Sequence, residues 1–235
     1  MTSEKNAAPP LLELVVARYR ENLNWLRRIP RWFRVSVYNK GPQRPALPYR
    51  RDLHCHPLVN VGREAHTYLW HLCERYESLA DVTVFAQGKP FDHVPDFHKI
   101  LRALADNERT VKGFDWLGFI IDEDDAAGAR LFQSWTKNPS GTALPLDAFW
   151  KALWGEPAPP QVTFYPSAHF AVTAETVRRR SRTFYQRALR VSAESPLAAH
   201  CFERTWDRIF DVDGIPTVYR AAGKPVYLRK TRRNP

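Results

Sequence analysis

Three short runs limit the fold of this chain more than any other feature: LLELVVARY (residues 11–19), FRVSVYNKG (33–41) and DVTVFAQG (81–88). Each is apolar and rich in β-branched residues through its middle, then ends in polar or turn-forming residues. Short runs of that kind fit buried strands of a sheet covered on both faces. The stretches between them carry helical signals. RENLNWLRRIP reads as a helix that Pro30 ends. From Gly62 onward, Ala65, Tyr68, Leu69, Leu72, Cys73 and Tyr76 recur at helical spacing and form one apolar stripe. After the third run, Pro95 suits the first turn of a helix over residues 96–106, with Phe97, Ile100, Leu101 and Leu104 as its apolar residues. Strand then helix, three times over, predicts an α/β fold: a mostly parallel sheet with right-handed crossovers and helices on both faces.

The remainder is less regular. Residues 42–59 are proline-rich and read as irregular. Residues 108–160, rich in Trp, Pro and Gly, read as an insertion or lid, and the acidic IIDEDD within them (120–125) as a flexible, solvated loop. VTFYPSAHFAVT (162–173) reads as one further strand with a loop in its centre. Residues 175–189 and 200–210 read as helices, and the chain beyond Asp211 as loop plus an edge strand. The expected organisation is a flexible leader (1–10), one α/β domain (11–228) and a basic tail (229–235). Apolar residues make up 44% of the chain, enough to fill one core of that size. No run of about 18 apolar residues is present, so no spanning helix is expected. MTSEKNAAPP lacks the pattern of a signal peptide. Cys55, Cys73 and Cys201 are odd in number and far apart, which points to reduced thiols and a cytoplasmic location.

A formal charge of +10 makes anions the natural partners. Much of the excess lies in TVRRRSR (176–182) and in the tail LRKTRRNP (228–235). No signature of an RNA or DNA module accompanies it, so a phosphorylated small molecule is the expected partner rather than nucleic acid.

Five motifs carry possible chemistry. DLHCHP (52–57) looks like the opening of metal-dependent phosphoesterases, since two imidazoles one residue apart on a strand share a face. RPALPYRR before it is not an apolar strand, however, and a loop is expected there. In NVGREAHTYL (60–69), Asn60 and Gly62 permit a tight turn just before a helix, whose free N–H groups and Arg63 suit a phosphate. VTVFAQGKPFDHVPD (82–96) runs from a buried strand into Gln87, Lys89, Asp92 and His93, and ligands of open α/β sheets bind beyond such strand ends. Asp92 and His93 together offer donors to a divalent cation. Further on, YPSAHFAV holds Ser167 and His169, and HCFERTWDRIF sets His200, Glu203 and Asp207 on one helical stripe.

The blocks VVARYRENLNWL, VYNKG, NVGREAHTYLWHLCERYESLADVTVFAQGKPFDH, FYPSAHFAVTAETVRRRSRTFYQRAL and HCFERTWDRIF resemble, in this order, an uncharacterised family: a domain of unknown function common in fungi and found also in bacteria. A looser likeness joins them to nucleotide-sugar transferases of the GT-A type. It rests on the first strand running into ARYRE, an acidic loop after a central strand, and a carboxylate on a late helix. The expected Asp-x-Asp is missing, and GKPFDH offers Asp92 and His93 in its place. The likeness implies a GT-A-like single domain that transfers a sugar from a nucleotide diphosphate to a hydroxyl. Arg18, Arg63 and Lys89 would hold the diphosphate, with Tyr19 and Gln87 in the same pocket. Asp92 and His93 would hold manganese or magnesium, with Asp92 also a catalytic group. Glu203 or His169 would take the acceptor proton, and Tyr19, Trp116 and Tyr165 would stack on base or sugar. Two other classes compete: a metal-dependent hydrolase built on His54, His56, Asp92 and His93, and a non-catalytic module binding an acidic polymer through its basic face.

Overall fold

The computed structural model describes residues 9–220 and 223–228 of the 235-residue chain. Residues 1–8 of the expected leader, and the whole of the expected basic tail, lie outside the described residues.

A six-stranded sheet organises the molecule. Its spatial order is β3 (Leu53–Pro57), β2 (Phe33–Asn39), β1 (Leu12–Arg18), β4 (Val82–Gln87), β8 (Phe170–Thr173) and β5 (Phe114–Trp116). Only β8 runs against its neighbours, so the sheet is mostly parallel, as the three apolar runs predict. Alternation along β1 shows why both faces need cover. Leu12, Leu14 and Val16 enter one core with Phe33, Val35, Val37, Val84 and Ala86. Helix α2 (Phe97–Ala105) seals that core with Phe97, Ile100, Leu101 and Leu104, all buried, at about 1.5–3 kcal/mol for each large side chain. Val15, Ala17 and Phe85 point the other way, into a core closed by α1 (Arg63–Arg75), α5 (Arg182–Glu194), α6 (Ala198–Glu203) and α7 (Trp206–Ile209). The stripe Ala65, Tyr68, Leu69 and Leu72 is the buried face of α1.

A second, three-stranded antiparallel sheet has the order β7 (Gln161–Phe164), β6 (Ile120–Asp125), β9 (Val226–Tyr227). Helices α3 (Leu146–Trp154) and α4 (Ala174–Val177) complete the regular structure.

Several expectations need correction. The predicted helix in RENLNWLRRIP is only a 3-10 turn over Asn24–Arg28, too short to be a full crossover helix. Residues 42–59 are not wholly irregular: LHCHP is strand β3 on the sheet edge, where polar side chains meet solvent. Residues 108–160 supply β5, β6 and α3. IIDEDD is not a solvated loop but β6, with Asp122, Glu123 and Asp124 buried. Each buried acid has a partner: Arg130 on Asp122 (2.5 and 2.6 Å), Gln161 Nε2 on Glu123 (2.8 Å), and Arg204 on Asp124 (2.6 and 3.2 Å). VTFYPSAHFAVT is two strands, β7 and β8, assigned to different sheets. The two late helices are each broken, into α4 and α5 at Ser181 and into α6 and α7 at Thr205. Ser181 caps α5 by accepting from the Phe184 N–H.

β1 also holds a carboxylate where the apolar pattern expects none. Glu13 is fully buried, accepts from Ser36 Oγ at 2.7 Å and pairs with Arg34 at 2.5 Å. Burial raises its pKa, but His71, Arg34 and Ser36 outweigh that and hold the carboxyl below its usual range.

Candidate functional site

The sheet changes winding direction between β1 and β4: the chain proceeds from β1 outward to β2 and β3, then returns to the other side of β1 as β4. Ligands of open α/β sheets settle in the crevice beyond the strand ends at such a point. A hollow of about 450 Å³ lies there. Strand register levels its walls, pairing Arg18 with Asn39 and Ala17 with Gln87. Its lining comes from the ends of three strands and the start of a helix: Arg18, Tyr19 and Glu21 after β1, Lys40 after β2, Asn60, Arg63 and Glu64 at α1, and Gln87, Lys89, Asp92 and His93 after β4.

Local structure fixes each group. Beyond β1, Glu21 turns back and accepts from the Tyr19 and Arg20 N–H groups at 2.7 and 3.0 Å. Arg18 is 7% exposed and donates to Asn39 Oδ1 (2.5 Å), the Gln43 carbonyl (2.8 Å) and the Glu21 carbonyl (3.0 Å). Lys40 is 8% exposed, and its Nζ donates to the Val61 carbonyl at 2.6 Å and to the Arg63 carbonyl. Burial pushes its pKa down to about 8, with Glu64 opposing. Arg18 and Lys40 therefore share one property. Both are buried cations held by neutral dipoles, and neither forms an ion pair among the described residues. Gly41 is required beside them, because a Cβ there would stand 1.7 Å from the Tyr19 carbonyl oxygen.

At α1, Gly62 and Arg63 both adopt left-handed backbone (φ 57° and 48°), which costs a non-glycine residue about 1 kcal/mol. Strain of that kind gathers at functional sites. No side chain caps this end. The N–H groups of Arg63, Glu64 and Ala65 find no partner among the described residues. Arg63 is half-exposed; its Nη1 lies 3.0 Å from His200 Nε2, whose Nδ1 faces Glu203 at 3.8 Å. For the guanidinium to donate there, His200 must be neutral with its proton on Nδ1. Lys89 and Asp92 pair at 3.0 Å and are both well exposed. His93 is exposed, with its ring 5.8 Å from the ring of His169.

Of the residues singled out in the sequence, Arg18, Tyr19, Arg63, Gln87, Lys89, Asp92 and His93 meet in this one hollow. Others stand elsewhere. His169 is fully buried behind it, bonded to Ser167 Oγ at 2.8 Å and receiving the Gln87 N–H at 3.4 Å. Burial drives its pKa down to about 3, so it is a neutral support for the β4 end and not a base in contact with an acceptor. Glu203 is outside the lining. Burial raises its pKa, but His200, Arg204 and His93 together hold the carboxyl below its usual range. It reaches the hollow through His200 and Arg63, and through its electrostatic interaction with His93. Trp116 and Tyr165 are buried and stack on each other, 5.5 Å apart, leaving neither free for a ligand.

His54 and His56 lie on β3, while Asp92 and His93 follow β4, three strand positions away, or about 14 Å. The four do not converge, which removes the hydrolase constellation. Among the described residues no group of three or more His, Cys, Asp or Glu is arranged to hold a metal. Asp92 and His93 are a pair only, with Asp92 already engaged by Lys89, so they do not fit a resident metal ion. Sequence reasoning missed Lys40, Glu21 and Glu64, and set His200 beside Glu203 without its contact to Arg63. Only Lys40 left a signal, as a cation between a strand and an obligatory glycine.

A larger hollow, about 620 Å³, opens beside β7 and α7. Arg204, Arg208 and Arg220 line it, and each meets a carboxylate: Asp124, Glu156 and Asp213.

The family model described as a protein of unknown function (DUF3431) matches residues 14–221. The chain belongs to that family. The DUF3431 match takes in every residue of the switch-point hollow and both sheets except Leu12 and Glu13 of β1 and the whole of β9. Comparison with curated proteins yields no match. Among the described residues of this DUF3431 chain, no helix is long and apolar enough to cross a membrane. Its three cysteines are free thiols.

Proposed function

We propose that the chain binds a nucleotide diphosphate sugar in the switch-point hollow and transfers the sugar to a hydroxyl acceptor. One observation carries this reading: Arg18 and Lys40 are buried cations that form no ion pair among the described residues, and they line a hollow whose other walls include Arg63, Lys89 and the first turn of α1, whose N–H groups find no partner among those residues. Buried charge is costly without a partner, and a diphosphate supplies one. Arg63 and the α1 N–H groups suit one phosphoryl group. Lys40 and Arg18 suit the other, and together they offset the charge that grows on the leaving diphosphate. Tyr19, 40% exposed, offers a ring for a base to stack on. His93 lines the hollow and its imidazole has no hydrogen-bonded partner among the described residues, so it is the group placed to take the acceptor proton.

Titration calorimetry with a panel of nucleotide diphosphate sugars, with and without manganese, tests the reading. Binding to at least one donor, with release of the free sugar or its transfer blocked by His93→Ala, is the expected result. Silence across the panel in both conditions ends it.

A further inference from the structure

The end of the sheet opposite the hollow carries a second, differently built surface. Arg27 and Arg28 close the 3-10 turn, and Arg31 and Trp32 occupy the reverse turn that the Phe33 N–H closes on the Pro30 carbonyl at 3.2 Å. Arg50 clamps the neighbouring loop onto that turn, donating to the carbonyls of Ile29 (2.8 Å), Pro30 (2.5 Å) and Phe33. The clamp brings Arg51 and Tyr49 alongside Arg27 and Arg31 around a depression of about 350 Å³, in which Asp52 is the one carboxylate. Arg27, Arg28, Arg31 and Arg51 are exposed and make no ion pair or side-chain hydrogen bond among the described residues. Beside them Trp32 is 72% exposed and Tyr49 fully exposed.

We propose that this surface docks the protein on an anionic phospholipid membrane, through Arg27, Arg31 and Arg51 on lipid phosphates and Trp32 and Tyr49 in the headgroup layer. Each arginine is free to form forked hydrogen bonds to phosphate. An indole and a phenol held out in water are poorly placed for a lone soluble protein. At a bilayer surface they are well placed, with an apolar ring in the interface and a polar tip in water. A single-stranded nucleic acid would need cations tracking along a groove, with rings in series for successive bases. Here the cations crowd one depression with room for one headgroup. β2 leads from this surface at Phe33 to the hollow at Asn39, seven residues or about 20 Å, so a docked molecule keeps its hollow open to solution.

Co-sedimentation of the full chain with vesicles tests the proposal. Vesicles of phosphatidylcholine containing phosphatidylserine should bind the protein and release it as salt is raised, while phosphatidylcholine alone should not bind. Arg27→Glu/Arg31→Glu/Arg51→Glu should weaken binding about a hundredfold. Arg178→Glu/Arg179→Glu/Arg190→Glu, with the same net charge but altered elsewhere, should keep most of it. Trp32→Ala should weaken binding several-fold at unchanged charge. If the triple variant does not fold by circular dichroism, Arg51→Glu and Trp32→Ala alone decide. No binding to phosphatidylserine vesicles, equal loss in the charge-matched control, or stronger retention of a single-stranded oligonucleotide than of vesicles would each overturn it.

Discussion

Two hollows of this molecule, one beside α7 and one at the winding switch of the main sheet, differ in how they treat arginine and lysine. The one beside α7 is larger, at about 620 Å³ against 450 Å³, yet each of its three arginines is answered by a carboxylate of the same chain. The switch-point hollow is smaller, and its two buried cations hydrogen-bond to carbonyl and amide dipoles and form no ion pair among the described residues, with Glu64 acting on Lys40 only at a distance. Volume therefore ranks the two in the wrong order for function. Arg204 and Asp124 are complete as they stand and hold the second sheet to α6. Arg18 and Lys40 form no ion pair among the described residues, and on the proposed function a diphosphate supplies the opposite charge.

The sharpest way to break this contrast is to remove a partner from the complete pair. Arg204→Ala strands the Asp124 carboxylate, which is fully buried, and should cost about 3–5 kcal/mol of stability by chemical denaturation. Diphosphate affinity of the folded fraction should change only slightly, because Arg204 reaches the smaller hollow only through α6 and His200. Next comes Lys40→Met, which should lower diphosphate affinity by roughly 10- to 100-fold, the worth of a charge-assisted hydrogen bond, by calorimetry. Its stability cost should be smaller than that of Arg204→Ala. A loss of stability without a loss of affinity would place Lys40 among structural residues and dissolve the comparison.

Two pH profiles sharpen it further. The Lys40 pKa is depressed to about 8 by burial, so its ammonium is present below that value and fades above it. Diphosphate affinity should fall as pH climbs past about 8, and that fall should be absent in Lys40→Met. In the larger hollow the quantity that falls with rising pH is stability, and it falls at lower pH. Burial raises the Asp207 pKa from 3.8 to about 6, against hydrogen bonds from Arg208 and Gly214 that lower it. The folded state then holds a proton that the unfolded chain has lost, so stability should decline as pH rises between about 4 and 6. Asp207→Asn should flatten that segment of the wild-type profile. The smallest effect belongs to Lys89→Ala. Its pair with Asp92 is well exposed, and the change should alter stability by less than about 1 kcal/mol.

How much of this was legible in the sequence follows from where each partner lies along the chain. β1, β2, β4, α1 and α2 are written in local pattern, because a sheet covered on both faces selects β-branched runs and its helices select an apolar stripe. The site residues at the ends of those strands were legible for the same reason: knowing where a strand stops tells which side chains stand at its rim. β6 was illegible. Three consecutive buried acids look like a solvated loop until Arg130, Gln161 and Arg204 are brought in, and Arg204 is 80 positions away from Asp124. β3 was missed because an edge strand tolerates His-Cys-His, which carries no apolar alternation. His169 and Glu203 were expected in the site, but nothing local told that one is sealed beneath the hollow and the other stands outside its lining.

Helix α6 is only six residues long, yet it touches both regions. His200, near its start, meets Arg63 on the wall of the smaller hollow, and Arg204, just past its end, grips the central strand of the second sheet. A guest that fixes Arg63 thus fixes one end of a short lever whose other end is anchored in β6. Amide exchange in IIDEDD should slow when the distant rim is occupied, so that a strand no ligand touches becomes the reporter of its arrival.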